Sequence, residues 1–260
     1  MPKSNLENNN SEKPLGKSIT YTADLVIYGG TSLAVIAAVQ AHRMGKTVLI
    51  VCPDKHLGGL TSSGLGWTDS GHQGVIGGLA KEFYHRVWKK YKSEEAWRWQ
   101  EHSTYNIEED GNKKIDDDRE LAWTFEPYLA ENIFEEWLHE DSIPVYREEW
   151  LDRTHDGVTI EGGCISSLRM LSGNIYTGKV FIDATYEGDL MAAAGISYHV
   201  GRESSSTYEE EWNGIQVGVL HHNHNFGHTN LRIDPYKTPG DPSSGVLAGI
   251  STEAPGKKGE

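Results

Sequence analysis

Four short stretches of this chain hold residues able to do chemistry. In the first, Tyr28-Gly29-Gly30-Thr31-Ser32-Leu33-Ala34, two glycines and two hydroxyl residues lie between a β-type apolar run, Leu25 to Tyr28, and an alanine-rich helical run. Glycines let backbone turn and approach a ligand, and the first amides of a helix are open donors at the positive end of its dipole. A diphosphate suits such a turn. Thr31 and Ser32 supply cap chemistry for the helix, and a side chain at position 29 would enter the diphosphate position. Against G-x-G-x-x-G the chain offers Gly29-x-Thr31-x-x-Ala34, with alanine permitted at the last place. Cys52 stands where an acid commonly ends the second strand and binds a ribose hydroxyl. The second stretch, HLGGLTSSGLGWTDSG from His56 to Gly71, is a glycine-rich loop at the carboxyl end of a strand, where parallel sheets bind ligands. In the third, Asp183 ends a strand and Gly188-Asp189 opens a short helix. That reads as a second contact with the same ligand or as an ordinary strand-to-helix turn.

A fourth group, His221, His222, His224 and His228 in HHNHNFGH, has spacing that a transition metal, solvent or a proton-transfer role would each accommodate. No neighbouring cysteine or carboxylate completes a ligand set, so no metal is assigned. His222 and His224 are kept as candidates for moving a proton, and the catalytic residue is otherwise unassigned.

The elements that position these groups are legible from periodicity. Asp24 to Val51 reads as strand, glycine turn, helix ending at Gly45, and a second strand from Thr47. Ile76, Leu79, Ala80, Phe83, Val87 and Tyr91 form one helical face, and Leu129, Ala130, Ile133, Phe134, Trp137 and Leu138 another behind Pro127. Between them Trp97, Trp99 and Tyr105 are packing residues or a surface on which a sugar ring stacks, followed by a charge-dense loop. From Ile143 to Thr185 four runs, IPVYREEWL, GVTIEG, CISSLRML and NIYTGKVFIDAT, read as a β-meander. The fold class is therefore α/β, a Rossmann-type domain with a parallel sheet, a β-meander insertion and the start of a second, substrate domain. The expected boundaries are a disordered tail over 1–21, the nucleotide-binding domain over 22–200 with a helical insertion at about 72–140, and the second domain over 201–260.

At 260 residues and 37% hydrophobic content the chain can bury a substantial core. A net charge of −14 argues against nucleic acid and anionic membranes as partners. Two cysteines make no disulfide framework, which fits a reducing, cytoplasmic location. The polar first 18 residues lack the apolar core of a signal peptide, and no run is long enough to span a membrane. The expected partner is a small-molecule substrate.

YGGTS, AAVQAHRMGK, HLGGLTSSGLGWTD, IGGLAKEFYHRVW, FEPYLAENIF, FIDATYEGDLMAAAGISYHVGRE and DPYKTPGDPSSGVLAGI together resemble the FAD-dependent oxidoreductase family of the glutathione-reductase class, sometimes labelled xanthan-lyase-like. The resemblance covers nearly the whole chain after the tail. It implies FAD as cofactor, with Gly29, Gly30, Thr31, Ser32 and Ala34 at the pyrophosphate. It places His56, Gly58, Gly59, Thr61 and Ser62 along the pyrophosphate and ribityl chain. Leu151 would meet adenine through its backbone, and Asp183, Gly188 and Asp189 would close over the cofactor. Leu33, Ala34 and Cys52 depart from the residues common at those places. Family members run longer, so the chain is expected to be an N-terminal part that lacks one wall of the site. The implied activity is hydride transfer from a small organic substrate, favoured as carbohydrate-derived, to flavin. The alternatives are a truncated FAD or nucleotide-binding module without turnover, and an NAD(P)-dependent dehydrogenase. Cys52 in place of the ribose acid, together with the HLGG and FIDAT segments, weighs against the last.

Overall fold

The computed structural model describes residues 18–68, 71–105, 114–154, 156–215, 234–248 and 257. The chain divides into two units, Met1–Ile196 and Ser197–Glu260. The first contains β1 (Thr20–Tyr28), α1 (Ser32–Arg43), β2 (Val48–Val51), α2 (Gly78–Tyr91), α3 (His102–Tyr105), β3 (Ile115–Asp116), β4 (Leu121–Ala122), α4 (Pro127–Glu140), β5 (Val145–Tyr146), β6 (Val158–Glu161), β7 (Cys164–Arg169), β8 (Ile175–Asp183) and α5 (Asp189–Ala193). The second contains an antiparallel pair, β9 (Tyr236–Thr238) and β10 (Asp241–Val246), whose turn is held by Asp234 accepting from the amides of Tyr236 and Gly240.

Six strands form one sheet in the order β5-β2-β1-β8-β7-β6. The pairs β5-β2, β2-β1 and β1-β8 are parallel, and β8-β7 and β7-β6 antiparallel. This is a mixed α/β, Rossmann-type sheet. Alternation along β1 and β2 sends Leu25, Ile27, Val48 and Ile50 to one face and Val26, Tyr28, Leu49 and Val51 to the other, and both sets are buried. The first face carries α1, α2 and α4 through Ala34, Val35, Ala38, Phe83, Val87, Ile133, Phe134 and Trp137. The second packs Leu151, Leu168, Met170, Tyr176 and Leu190. Each large apolar side chain buried this way contributes about 1.5–3 kcal/mol.

Two expectations are corrected. Ile143 to Leu151 is not the first strand of the meander: only Val145–Tyr146 is a strand, and it pairs parallel to β2 at the opposite edge. The α4 crossover delivers it there, and Glu148, at φ 58°, turns the chain away before Leu151 makes an isolated bridge to Met170. The meander is thus β6-β7-β8, joined to the parallel sheet by β8. Thr20 and Tyr21, grouped with the tail by sequence, pair with Ile175 and Tyr176 as part of β1. Among the described residues no helix is long and apolar enough to cross a membrane.

Candidate functional site

The site lies at the carboxyl ends of β1, β2 and β8, where the chain leaves each strand for a glycine turn. Gly29, at φ 118°, donates its amide to the Val51 carbonyl at 2.9 Å. A Cβ there would lie 2.5 Å from the Ala184 backbone. Position 29 is therefore closed to side chains by the neighbouring strand end, a constraint that the sequence did not display. The same close approach lets the Ala184 amide donate to the Tyr28 carbonyl at 2.7 Å. Thr31 is buried, but its hydroxyl does not cap α1; it donates to the Ala184 carbonyl at 2.8 Å. The reason is geometric: the carbonyl that follows β8 lies within reach of a hydroxyl that sequence alone assigns to the helix. No side-chain cap is made at the start of α1, so its first amides take no side-chain partner from the cap residue. Ser32 is half-buried and Leu33 exposed, whereas Ala34 is fully buried and belongs to the helix–sheet packing.

The loop after β2 docks on this turn. The Gly58 amide donates to the Gly30 carbonyl at 2.7 Å, and Gly58 forms a parallel bridge with Thr31. Phe134 of α4 lies directly beneath Gly58, stacks on Phe83 at 4.9 Å, and Phe83 meets Phe125 edge-on at 5.4 Å. The far end of the loop pairs with the segment holding Phe125, through Phe125 N to Gly66 O at 2.9 Å and Thr68 N to Trp123 O at 3.1 Å. Both loop ends thus rest on one aromatic stack. Within the loop, the Ser62 hydroxyl donates to the Leu57 carbonyl, and the Thr61 amide to the Gly58 carbonyl at 3.2 Å. His56 is 76% exposed and its Nδ1 is 2.8 Å from Glu131 Oε1, an α4 carboxylate that also accepts from the Leu57 amide at 3.4 Å. Sequence reading did not single out Glu131, because its contacts come from 74 and 75 residues away.

The third contact is an ordered acid turn. Asp183 accepts from the Thr185 amide at 3.0 Å, the Thr185 hydroxyl at 2.7 Å and the Met191 amide at 2.8 Å. Thr185 Oγ1 in turn accepts from the amides of Gly188 and Asp189, at 2.9 and 3.2 Å. Asp183 is spent on shaping the turn. Asp189 pairs with Arg153 at 3.1 Å, and the Leu151 amide donates to Tyr28 Oη at 3.0 Å. Leu151 is buried with its amide already engaged. Tyr186 crosses from this turn to the glycine loop, where its hydroxyl accepts from the Leu60 amide at 2.7 Å. Its type carries no periodic signal, and its partner is 126 residues distant.

Cys52 is fully buried and its thiol donates to the Asp54 carbonyl at 3.2 Å. A Cβ on Gly30 would lie 2.2 Å from this sulfur. Burial pushes the thiol up to about 11, so it stays protonated near neutrality. His222 and His224 lie outside the described residues, and no group that could hold a metal occurs among the described ones.

An uncapped helix start at three parallel strand ends, flanked by two glycine turns, suits a diphosphate group. The family model for FAD dependent oxidoreductases matches residues 24–248. The chain belongs to the FAD dependent oxidoreductase family. FAD is accordingly its cofactor, and the residues at the start of α1 fit the anionic middle of that molecule. No curated protein matches the chain. Solved structures similar in fold include L-amino acid deaminase from Proteus vulgaris, at 15% identity and TM-score 0.46 over 72% of this chain and 53% of that one. L-proline dehydrogenase from P. horikoshii is similar at 15% identity and TM-score 0.46 over 72% and 59%. The chain thus spans little more than half the length of these structures.

Proposed function

We propose that this chain forms the FAD-binding part of an oxidoreductase acting on a small organic substrate, with a carbohydrate-derived compound favoured. The observation that carries this reading is the open start of α1 ringed by Gly58-Gly59 and by the Asp183–Asp189 turn, within a chain of the FAD family. Bound there, FAD would accept a hydride from the substrate. The protein's part is to hold the diphosphate on the amides of Ser32 and Leu33, and to order both flanking turns through Thr31, Ser62 and Asp183. His222 and His224 are the candidates for taking the substrate proton. Support for a sugar comes from exposed indoles. Trp97 is packed against Tyr91, Tyr105 and His102, but Trp99 is 85% exposed and Trp67 stands half-exposed at the end of the glycine loop, with Lys114 Nζ 5.4 Å from its ring. The free thiols of Cys52 and Cys164 support a cytoplasmic location.

The purified chain should be yellow, and denaturing it should release FAD in a ratio near one. Anaerobic bleaching by sugars, and not by amino acids or hydroxy acids, would then support the substrate class. A colourless protein that takes up no added FAD would overturn the binding assignment.

A further inference from the structure

Tyr186 occupies a position that the cofactor assignments leave unexplained. It is 59% exposed, yet the backbone it stands on is among the best-anchored in the site, because Asp183 and Thr185 consume their side chains in fixing that turn. Its hydroxyl reaches across to the other turn and accepts the Leu60 amide at 2.7 Å. Gly59 has no room for a side chain beneath it: a Cβ would lie 2.3 Å from Tyr186 Oη and 3.0 Å from Cζ. Gly59 also sits at φ 55°, so the loop presents its bare backbone to the phenol.

This contact completes a ring. The glycine loop is tied to the start of α1 by Gly58 N to Gly30 O, and the acid turn is tied to it by Thr31 Oγ1 to Ala184 O. Tyr186 joins the free sides of these two turns. We propose that Tyr186 is a positioning residue for the cofactor, a latch that holds the Gly58–Ser62 loop against the Asp183–Asp189 turn before FAD binds. The inference rests on the FAD site proposed above. A loop already ordered in its bound arrangement loses less freedom on binding, so the latch raises affinity without touching the reacting atoms. One neutral hydrogen bond at an exposed site is also readily opened, which permits entry of the cofactor.

The test uses the full chain and three variants: Tyr186→Phe, which keeps the ring and removes the hydroxyl; Gly59→Ala, which drives a methyl group into that hydroxyl; and both together. Hydrogen exchange without FAD should show the Leu60 amide protected in the parent and released in each variant, with the melting temperature of Tyr186→Phe lowered by no more than about 4 °C. FAD titration by flavin fluorescence should then give a Kd about fivefold to tenfold weaker for Tyr186→Phe, as expected for loss of one hydrogen bond. The double variant should be no weaker than Gly59→Ala alone, because both changes break the same contact. Equal exchange at Leu60 in parent and Tyr186→Phe, or tighter FAD binding by Tyr186→Phe, would overturn the latch; the second result would make the tyrosine an obstruction. A parent chain with Leu60 protected but no affinity for FAD would instead overturn the cofactor reading and leave the latch as a property of the loop.

Discussion

Gly30 and Cys52 explain each other. The cysteine stands where an acid would meet a ribose, but its side chain turns inward under Gly30 and is part of the core around α1. The Gly30 backbone has no positive φ that would bar alanine, so the severe constraint is contact with the sulfur, the Cys52 Cβ and His56 carbonyl oxygen lying 3.4 Å away. Gly30→Ala should cost about 1–3 kcal/mol through overpacking. In a Cys52→Ala background the sulfur is gone, and the same substitution should cost less than half as much. Urea denaturation of the four proteins measures the coupling; equal penalties in both backgrounds would show that the methyl group collides with something else. Sequence reading singled out these glycines without the protein neighbours that crowd them. It read Gly29 and Gly30 as a ligand turn, and the structure adds that one makes room for the Ala184 backbone and the other for a thiol. Thr31 was legible as a helix-start residue, but the partner its hydroxyl takes, just after β8, is 153 residues away.

At the scale of elements, periodicity sufficed wherever an element buries one face, as in α1, α2 and α4. It failed for β5, since a short run of mixed polarity carries no mark of which sheet edge it will join. The three helices are further tied by a charge chain that no periodicity displays. Arg43 of α1 grips Glu82 of α2 through two 2.9 Å contacts, and Arg86 of α2 grips Glu140 of α4 at 2.9 and 2.7 Å while lying 4.5 Å over the Trp137 ring. Glu82 and Glu140 are each held below the usual carboxylate range, chiefly by these guanidinium hydrogen bonds. A depressed carboxylate stabilises the fold above its unfolded value, near pH 4.3, and loses that contribution as pH falls through its folded value. Glu82→Gln should therefore lower stability at pH 7 by about 0.5–1 kcal/mol, discounted for solvent screening. The difference from the parent should shrink below pH 4 as Glu82 itself protonates. Urea midpoints at pH 7 and pH 3.5 check this, and a constant difference would show that the pair contributes no pH-linked stability.

For the whole molecule, the net charge of −14 opposes an anionic cofactor at long range, so attraction must come from short-range backbone donors at the start of α1. Those donors are positioned by the six-stranded sheet and its helices, and among the described residues both apolar cores that hold the sheet are built from residues between Ala23 and Leu190. The second unit begins at Ser197, and none of its described residues is among them. A chain ending at Ile196 should therefore fold by itself and melt cooperatively within about 3 °C of the full chain, the shift expected for a change near 1 kcal/mol in a domain of this size. It should also take up FAD with an affinity within about threefold of the full chain, a difference of less than 1 kcal/mol. Loss of the cooperative transition would mean that residues after Ile196 stabilise the sheet. A retained transition with lost FAD uptake would place an essential wall of the cofactor site beyond Ile196, while leaving the independence of the fold intact.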